Sequence, residues 1–240
     1  YEKYYDLQSG LSYLGQRMIE LYRSFDKMAL FMKAGGIIPL ADMDRDYTNS
    51  IENPKSLKIL IGTGNDGAFT LVEDDEENLE LRIETVISYK DGEFIEVKKP
   101  IGDLEILPDK REWIFELYGI KINEARIEIF GNKEVIHEIN YDPDKNTTQL
   151  CLGEIPKDVR FKVILDDFEK IDQRENKISL VLDRLQKSRI ETVKKERLLD
   201  ILKNSKSIAQ FVTEISAFDI EEKMKKSIFE IVFADDNFFD

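Results

Sequence analysis

The chain has 240 residues, of which 49 are acidic and 35 are basic, so its net charge is −14. This charge argues against a nucleic-acid partner, because neutralising phosphates requires an excess of Lys and Arg. The single cysteine, Cys151, and the single histidine, His137, exclude an internal disulfide and any zinc site built from several such side chains. No apolar run approaches the roughly 18–20 residues of a membrane span, so no membrane partner is expected.

The first residue is Tyr1 rather than Met, which suggests a piece of a longer polypeptide. With one cysteine and no visible targeting segment, we expect a cytoplasmic protein, although the start of the parent chain is missing.

Strand patterns occupy the first two thirds of the chain. Apolar and polar residues alternate in five stretches, at 57–61, 79–83, 113–117, 125–129 and 159–165. Period-two alternation places one set of side chains in a core and the other in water. Turn signals separate these stretches: Asn65-Asp66-Gly67, Asp91-Gly92, Gly131-Asn132 and Asp142-Pro143-Asp144. Such pairs favour hairpin turns, so antiparallel sandwiches are predicted rather than a parallel α/β sheet.

Helix patterns occupy the rest. All 12 Gly and all 6 Pro lie at or before Pro156, and from Phe168 onward apolar residues recur every three or four positions. This predicts three or four short amphipathic helices. Ser205 or Ser207 is expected to cap one, and Asp219, with Glu222 three residues on, to cap the last.

A search for catalytic or metal-binding residues finds no convincing site. His137 lies between apolar positions of a predicted strand, and Cys151 has no neighbour that would depress its pKa. The calcium-loop openings Asp42-x-Asp44-x-Asp46 and Asp142-x-Asp144-x-Asn146 lack the glycine and glutamate that complete an EF-hand. The acidic run Glu73–Glu77 could hold a cation, but such runs are typical of exposed loops. We therefore predict no metal and no catalytic residue.

The glycines of Gly62-x-Gly64-x-x-Gly67 have the spacing of a dinucleotide-binding fingerprint. That fingerprint must lead into a helix whose N-terminus receives the pyrophosphate, whereas a strand pattern, Phe69–Val72, follows here. A hairpin explains these glycines better, and no cofactor is predicted.

Three segments, in this order, resemble segments of family 31 glycoside hydrolases, the α-glucosidase and α-xylosidase group. Tyr4–Gly10 is similar to W-Y-D-x-x-T-G, Phe31–Pro39 to F-x-[RK]-A-G-x-I-I-P, and Gly67–Asp75 to the segment G-x-F-x-L-Y-E-D-D-G, whose last position is Glu76 here. Tyr4, Val72 and Glu76 depart from the residues that are common in the family.

The resemblance covers about Tyr1–Asp167 and implies two consecutive antiparallel β-sandwich domains there. The helices after it are predicted from the sequence pattern alone, so the expected fold is mainly β with a helical tail: two consecutive antiparallel β-sandwich domains followed by a small α-helical bundle. The expected ranges are 1–77 for a proximal sandwich, 78–167 for a distal sandwich and 168–240 for the helices. In the family both sandwiches follow a catalytic barrel. The family is retaining and needs two facing carboxylates. Its nucleophile motif is absent here, since the only tryptophan, Trp113, is followed by Ile-Phe-Glu. The resemblance thus implies a non-catalytic C-terminal fragment of a glycosidase.

The apolar run from Phe31 to Pro39 is long for a strand with one wet face. We predict that Phe31, Lys33, Ile37, Ile38 and Pro39 face the missing catalytic barrel, with Gly35-Gly36 permitting close backbone approach or a bulge.

Two alternatives remain at this stage. The first is a carbohydrate-binding module, with Tyr47, Tyr89, Tyr118 and Tyr141 as candidate stacking residues. The second is an assembly domain that self-associates through the helical tail.

Overall fold

The computed structural model describes residues 2–25, 27–41, 53–75, 78 and 80–235. The chain divides into two compact units. Unit 1 comprises Tyr1–Met32, Pro143–Asn146 and Ile171–Asp240, and unit 2 comprises Lys33–Asp142 and Thr147–Lys170. These bounds differ from the ranges expected from sequence, because strands and helices far apart in the chain pack together.

The strands occupy the chain up to Lys170. In chain order they are β1 (Lys3–Asp6), β2 (Ser12–Leu14), β3 (Phe31–Lys33), β4 (Ile37–Ala41), β5 (Ser56–Gly62), β6 (Gly67–Asp74), β7 (Arg82–Lys90), β8 (Phe94–Val97), β9 (Ile101–Gly102), β10 (Lys110–Tyr118), β11 (Ile120–Ile129), β12 (Asn132–Val135), β13 (Glu138–Asp142), β14 (Thr147–Pro156) and β15 (Phe161–Lys170). A single 3₁₀ turn, Leu104–Ile106, lies between β9 and β10.

Unit 2 is a β-sandwich. One sheet has the strand order β13-β14-β10-β5-β4, and the other has the order β12-β11-β15-β8-β7-β6 with β9 paired to β7. Most neighbours are antiparallel, as expected, but β5 and β10 run parallel. A parallel pair requires a long connection, and here the chain builds β6 to β9 of the opposite sheet between the two strands.

The core of unit 2 draws on both sheets. Ile59 of β5 and Phe115 of β10 are fully buried, as are Ile87 of β7 and Val163 of β15. Strands from both expected sandwich ranges therefore contribute to one core. The ring of Trp113 lies edge-on to that of Phe161, with 5.3 Å between ring centres, a favourable geometry for two aromatic rings.

In its described residues, unit 1 combines a small sheet, of strand order β2-β1-β3, with four helices. The helices are α1 (Arg174–Gln186), α2 (Thr192–Asn204), α3 (Ile208–Ala217) and α4 (Glu222–Val232). Leu11 and Tyr13 from the hairpin share a core with Leu185, Phe211 and Ile231. The short helices thus gain stability by packing rather than by their own propensity.

The expected class, mainly β with a helical tail, is confirmed. The predicted cap at Ser207 is present, since its hydroxyl accepts a hydrogen bond from the Gln210 N–H at 3.2 Å. The predicted cap at Asp219 is wrong: Glu221 precedes α4, and the Asp219 carboxylate instead binds Lys194 Nζ at 2.8 Å.

The predicted hairpin at Asn65-Asp66-Gly67 is also wrong. Strand β5 pairs with β4 and β10, whereas β6 pairs with β7, so the turn carries the chain from one sheet of the sandwich to the other. The strand after Gly67 agrees with the rejection of a dinucleotide site.

No helix in the described ranges is both long and apolar enough to cross a membrane. Self-association through the helices and a cytoplasmic location stay predictions.

Candidate functional site

The predicted barrel-facing segment runs along β3 and β4. Phe31 and Lys33 are exposed, and Met32 between them is buried. In β4, Ile37 is buried and Ile38 and Pro39 are half-buried. Strand β4 is the last strand of its sheet among the described residues, which suits Pro39 because a proline has no N–H to donate to a further strand.

Only part of this segment is buried, and it belongs to two units: Phe31 to unit 1, and Lys33 to Pro39 to unit 2. Ile37 packs into the core of the sandwich opposite Ile61 of β5. Phe31 remains 40% exposed, although its ring lies perpendicular to that of Tyr13 with 5.4 Å between ring centres. Leu40, the next residue after Pro39, is 43% exposed. An interface at these residues stays a prediction. Such an interface requires exposed apolar surface, which Phe31 and Leu40 provide.

The glycines of two family-like segments touch each other. Gly35 has a φ of +80°, and a Cβ built on it would lie 2.5 Å from the Asp66 carbonyl oxygen. A Cβ on Gly67 would lie only 1.9 Å from the Gly35 carbonyl oxygen. The predicted close approach at Gly35 is thus present, and its partner is the segment that begins at Gly67.

Glu73 of the acidic run is a buried ion-pair partner. Its two carboxylate oxygens accept hydrogen bonds from Arg111 Nη1 at 2.8 Å and Nη2 at 2.7 Å, with both side chains about 5–6% exposed. Arg111 Nε also donates to the Pro54 carbonyl oxygen at 2.9 Å. Because Glu73 lies on β6 and Arg111 on β10, the pair bridges the two sheets. The fork of the guanidinium matches the carboxylate, so Glu73 is structural and does not belong to an exposed cation-binding loop.

Asp6, the acidic residue of the first family-like segment, is also fully buried. Its carboxylate accepts from Arg23 Nη2 at 2.8 Å and from the Gln8 N–H at 3.0 Å. Arg23 Nη1 donates to Glu230 of α4 at 2.9 Å. Arg23 therefore joins β1 to the last helix.

Glu230 is the centre of this buried cluster. It accepts hydrogen bonds from Tyr13 at 2.7 Å and from Arg184 of α1 at 3.0 Å, in addition to Arg23. Burial opposes charge on Arg23, but the contacts with Tyr13 and Glu230 outweigh it and raise the pKa of Arg23. Burial, together with the neighbouring Glu230 carboxylate, raises the pKa of Tyr13, so its hydroxyl stays protonated and donates to that carboxylate.

The candidate sugar-stacking tyrosines are mostly unsuitable. Tyr89 and Tyr118 are each 2% exposed, so neither can offer a ring face to a sugar, and this prediction is wrong for both. Both lie at buried strand positions, Tyr89 in β7 and Tyr118 in β10. The Tyr89 hydroxyl donates to Asp91 at 2.8 Å. Tyr141 is half-buried beside Lys121. Tyr47 lies outside the described residues.

The remaining candidate residues, His137, Cys151 and the acidic turns, do not form a common site in the described structure. His137 is exposed between β12 and β13, and Cys151 is half-buried in β14. The described residues contain no group of three or more potential metal-ligating side chains, and Asp42–Asp46 lies outside them. Within the turn 143–146, Asn146 is buried and its backbone has a φ of +51°. The carbonyl oxygen of Asp144 accepts from Asn176 at 2.8 Å, so the loop is held by hydrogen bonds.

Comparison with known proteins gives one curated relative. An alpha-xylosidase of Saccharolobus solfataricus is 26% identical over 143 residues, which is 56% of this chain and 19% of the xylosidase. No protein-family model matches. The chain is similar to family 31 glycoside hydrolases. The match agrees with the resemblance of the three segments and indicates a glycoside hydrolase-related region. This chain spans about one fifth of the length of that relative.

Two solved structures of glycosidases are also similar. The family 31 alpha-xylosidase of Xanthomonas citri is 22% identical over 49% of this chain and 13% of its own, with a TM-score of 0.43. The catalytic–regulatory complex of ER glucosidase II is 16% identical over 69% of this chain and 20% of its own, with a TM-score of 0.48. Because these scores are low, the family resemblance rests on sequence.

Proposed function

We propose that this chain is a non-catalytic C-terminal region of a retaining α-glycosidase, an α-glucosidase or α-xylosidase acting on oligosaccharides, and that it supports a catalytic barrel elsewhere in the polypeptide. The observation that carries the proposal is that carboxylates of the family-like segments are buried in ion pairs inside the protein. Asp6 and Glu73 are each buried against an arginine. A retaining glycosidase needs two carboxylates about 5–5.5 Å apart that face an open substrate site, and neither of these is available for that role.

A second observation supports the contact with a barrel. Six large apolar side chains between residues 18 and 40 are exposed, and the side chains of Met18 and Phe25 are almost fully so: Met18, Phe25, Met28, Leu30, Phe31 and Leu40. Five of them belong to unit 1 and Leu40 belongs to unit 2. Exposed apolar side chains of this size are what an interface would cover. We name residues 18–40 the apolar segment, and the predicted barrel-facing residues form its end.

The catalytic part of the proposal is tested with this chain alone. We expect no release of p-nitrophenol from p-nitrophenyl α-xyloside or α-glucoside, whereas the complete gene product should hydrolyse at least one of them. Turnover by this chain itself would overturn the proposal.

The supporting role is tested with Phe25→Ser, because Phe25 is fully exposed here. The variant should leave the thermal unfolding of this chain unchanged but lower the unfolding temperature of the complete polypeptide, where the ring would be buried. Phe130→Ser, at an exposed hairpin tip of unit 2, is the matched control. Equal behaviour of the two variants in the complete polypeptide would argue against a barrel contact at the apolar segment.

A further inference from the structure

Unit 1 contains a cavity of about 380 Å³ that the resemblance to glycosidases does not account for. One wall is formed by Tyr22, Arg23, Ser24 and Lys27, which follow the hairpin, and α1 and α4 form others. Its volume is that of a site for a small organic molecule. Apolar side chains line part of it: Leu11, Leu180, Met224 and Ile231.

The charged groups of the wall are mainly cationic, although the whole chain carries a net charge of −14. Five basic side chains line the cavity: Arg23, Lys27, Arg184, Lys187 and Lys223. Three acidic side chains do so too: Asp6, Asp183 and Glu221.

Ion pairs within the protein account for most of these charges. Arg23 binds Asp6 and Glu230, Arg184 binds Glu230, and Lys187 binds Asp183. Lys27 and Lys223 form no ion pair with any described residue. Among the described residues of the wall, two ammonium groups and one carboxylate, that of Glu221, therefore remain outside these ion pairs.

A further donor in the wall has no acceptor. The Nε–H of Arg23 is buried and has no hydrogen-bond partner among the described groups. An unsatisfied buried donor destabilises a protein unless water or a bound molecule supplies the acceptor, and an anion in the cavity is one such acceptor.

We infer that this cavity binds a small organic anion, whose carboxylate or phosphate group meets Lys27 and Lys223 and whose apolar body lies against Leu180 and Met224. Such a ligand connects Lys27 to α1 and α4, so binding stabilises unit 1. This inference does not depend on the proposed glycosidase role, because every lining residue belongs to unit 1 and none is assigned to catalysis.

The test is isothermal titration of this chain with four probes. Phenyl phosphate and benzoate carry both an anion and an apolar ring, inorganic phosphate carries only the anion, and benzyl alcohol carries only the ring. We expect saturable one-to-one binding of phenyl phosphate or benzoate, with the tighter of the two identifying the head group. Inorganic phosphate and benzyl alcohol should bind more weakly.

The matched variants are the double substitution Lys27→Gln with Lys223→Gln, and Lys206→Gln, an exposed lysine of unit 1 outside the cavity. The double variant should lose roughly tenfold or more in affinity, since hydrogen bonds to charged groups are the strong ones. Lys206→Gln should bind as the wild type does. Absence of saturable binding by both aromatic anions, equal binding of benzyl alcohol, or unchanged affinity in the double variant would each overturn the inference.

Discussion

Glu73 belongs to an acidic run, yet its carboxylate is almost entirely removed from water and bound by the fork of Arg111. A pair of this kind contributes little when compared with two well-packed apolar residues. Its loss is nevertheless costly, because the remaining charge is buried without compensation. The geometry therefore makes position 73 sensitive to substitution.

We expect Glu73→Gln to lower the free energy of unfolding by about 3–5 kcal/mol, measured by urea denaturation. Glu80→Gln, an exposed neighbour, should change it by less than about 0.5 kcal/mol. The pair Glu73→Met and Arg111→Met should recover part of the loss, because no single charge is left buried. Equal stability of Glu73→Gln and Glu80→Gln would contradict this account.

Glu116 gives a second effect, which depends on pH. Its side chain is 3% exposed, and its carboxylate lies 2.5 Å from Lys58 Nζ and 2.7 Å from Gln149 Nε2. Burial alone would raise the pKa of Glu116, but the bonds from Lys58 and Gln149 outweigh burial and lower the pKa below its ordinary value of 4.5. The stabilisation is therefore fully present above pH 4.5 and is lost as the pH falls through the lowered pKa of the folded state.

Glu116→Gln should accordingly be less stable than the wild type at pH 7, with the difference shrinking once the pH falls below 4.5. Urea unfolding at a series of pH values measures it. A difference that stays constant down to pH 3 would show that the carboxylate charge has no part in it.

The buried ion pairs of Glu73 and Asp6 could not be predicted from the sequence. The run Glu73–Glu77 has the composition of an exposed loop, and nothing near it in the chain indicates that residue 111 is its partner. Asp6 was placed in a family-like segment, but the arginine that binds it lies in a stretch without helix or strand periodicity. Charge partners that are distant in the chain carry no local signal.

Among the elements, the turn between β5 and β6 determines how the sandwich closes. It brings Gly67 against the backbone of Gly35, where a side chain has no room. Backbone atoms cannot move aside as a flexible side chain can, so the contact restricts both positions to glycine.

Gly67→Ala should therefore destabilise unit 2 by about 1–3 kcal/mol, the usual effect of overpacking. Gly131→Ala is the matched control: its φ is +81°, but a Cβ there meets nothing within 4 Å. It should show only the smaller strain of a left-handed alanine, about 1 kcal/mol. Thermal unfolding measures both, and a milder effect at position 67 than at position 131 would refute the close contact.

The strands were predictable where apolar and polar residues alternate, although alternation does not show how far each face is covered: residues 113–118 of β10 are all buried. The alternation at 57–61, 113–117 and 125–129 corresponds to β5, β10 and β11. The pairing of these strands was not predictable, because alternation identifies a buried face but not the strand that lies beside it. The parallel pairing of β5 with β10 and the crossing at residues 63–66 are long-range outcomes of this kind.

At the scale of the whole molecule, the hairpin β1-β2 depends on helices that lie more than 150 residues later. Leu11 and Tyr13 are each 1% exposed, within a core otherwise built by α1 to α4. The sheet β2-β1-β3 has strands of only three or four residues, and so small a sheet needs its apolar face covered, which these helices do.

Removing residues 171–240 should therefore abolish amide-exchange protection in β1 and β2 while the strands of unit 2 keep theirs. Hydrogen exchange followed by mass spectrometry distinguishes the two regions. In the full chain, Leu11→Ala should destabilise the hairpin and the helices together, by about 2–5 kcal/mol. Persistent protection of β1 and β2 in the shortened chain would show that the hairpin does not need the helices.

The chain passes between the two units several times, which limits how each unit can be expressed separately. The polypeptide changes unit at 32/33, 142/143, 146/147 and 170/171, so no single cut releases both units whole. Because Asp142 and Thr147 are directly opposite each other in β13 and β14, an Asn-Gly dipeptide could replace residues 143–146 and close a tight hairpin. Residues 33–170 with that replacement would form the sandwich from one uninterrupted polypeptide. This shortened protein could be isotope-labelled and studied by NMR without the helices.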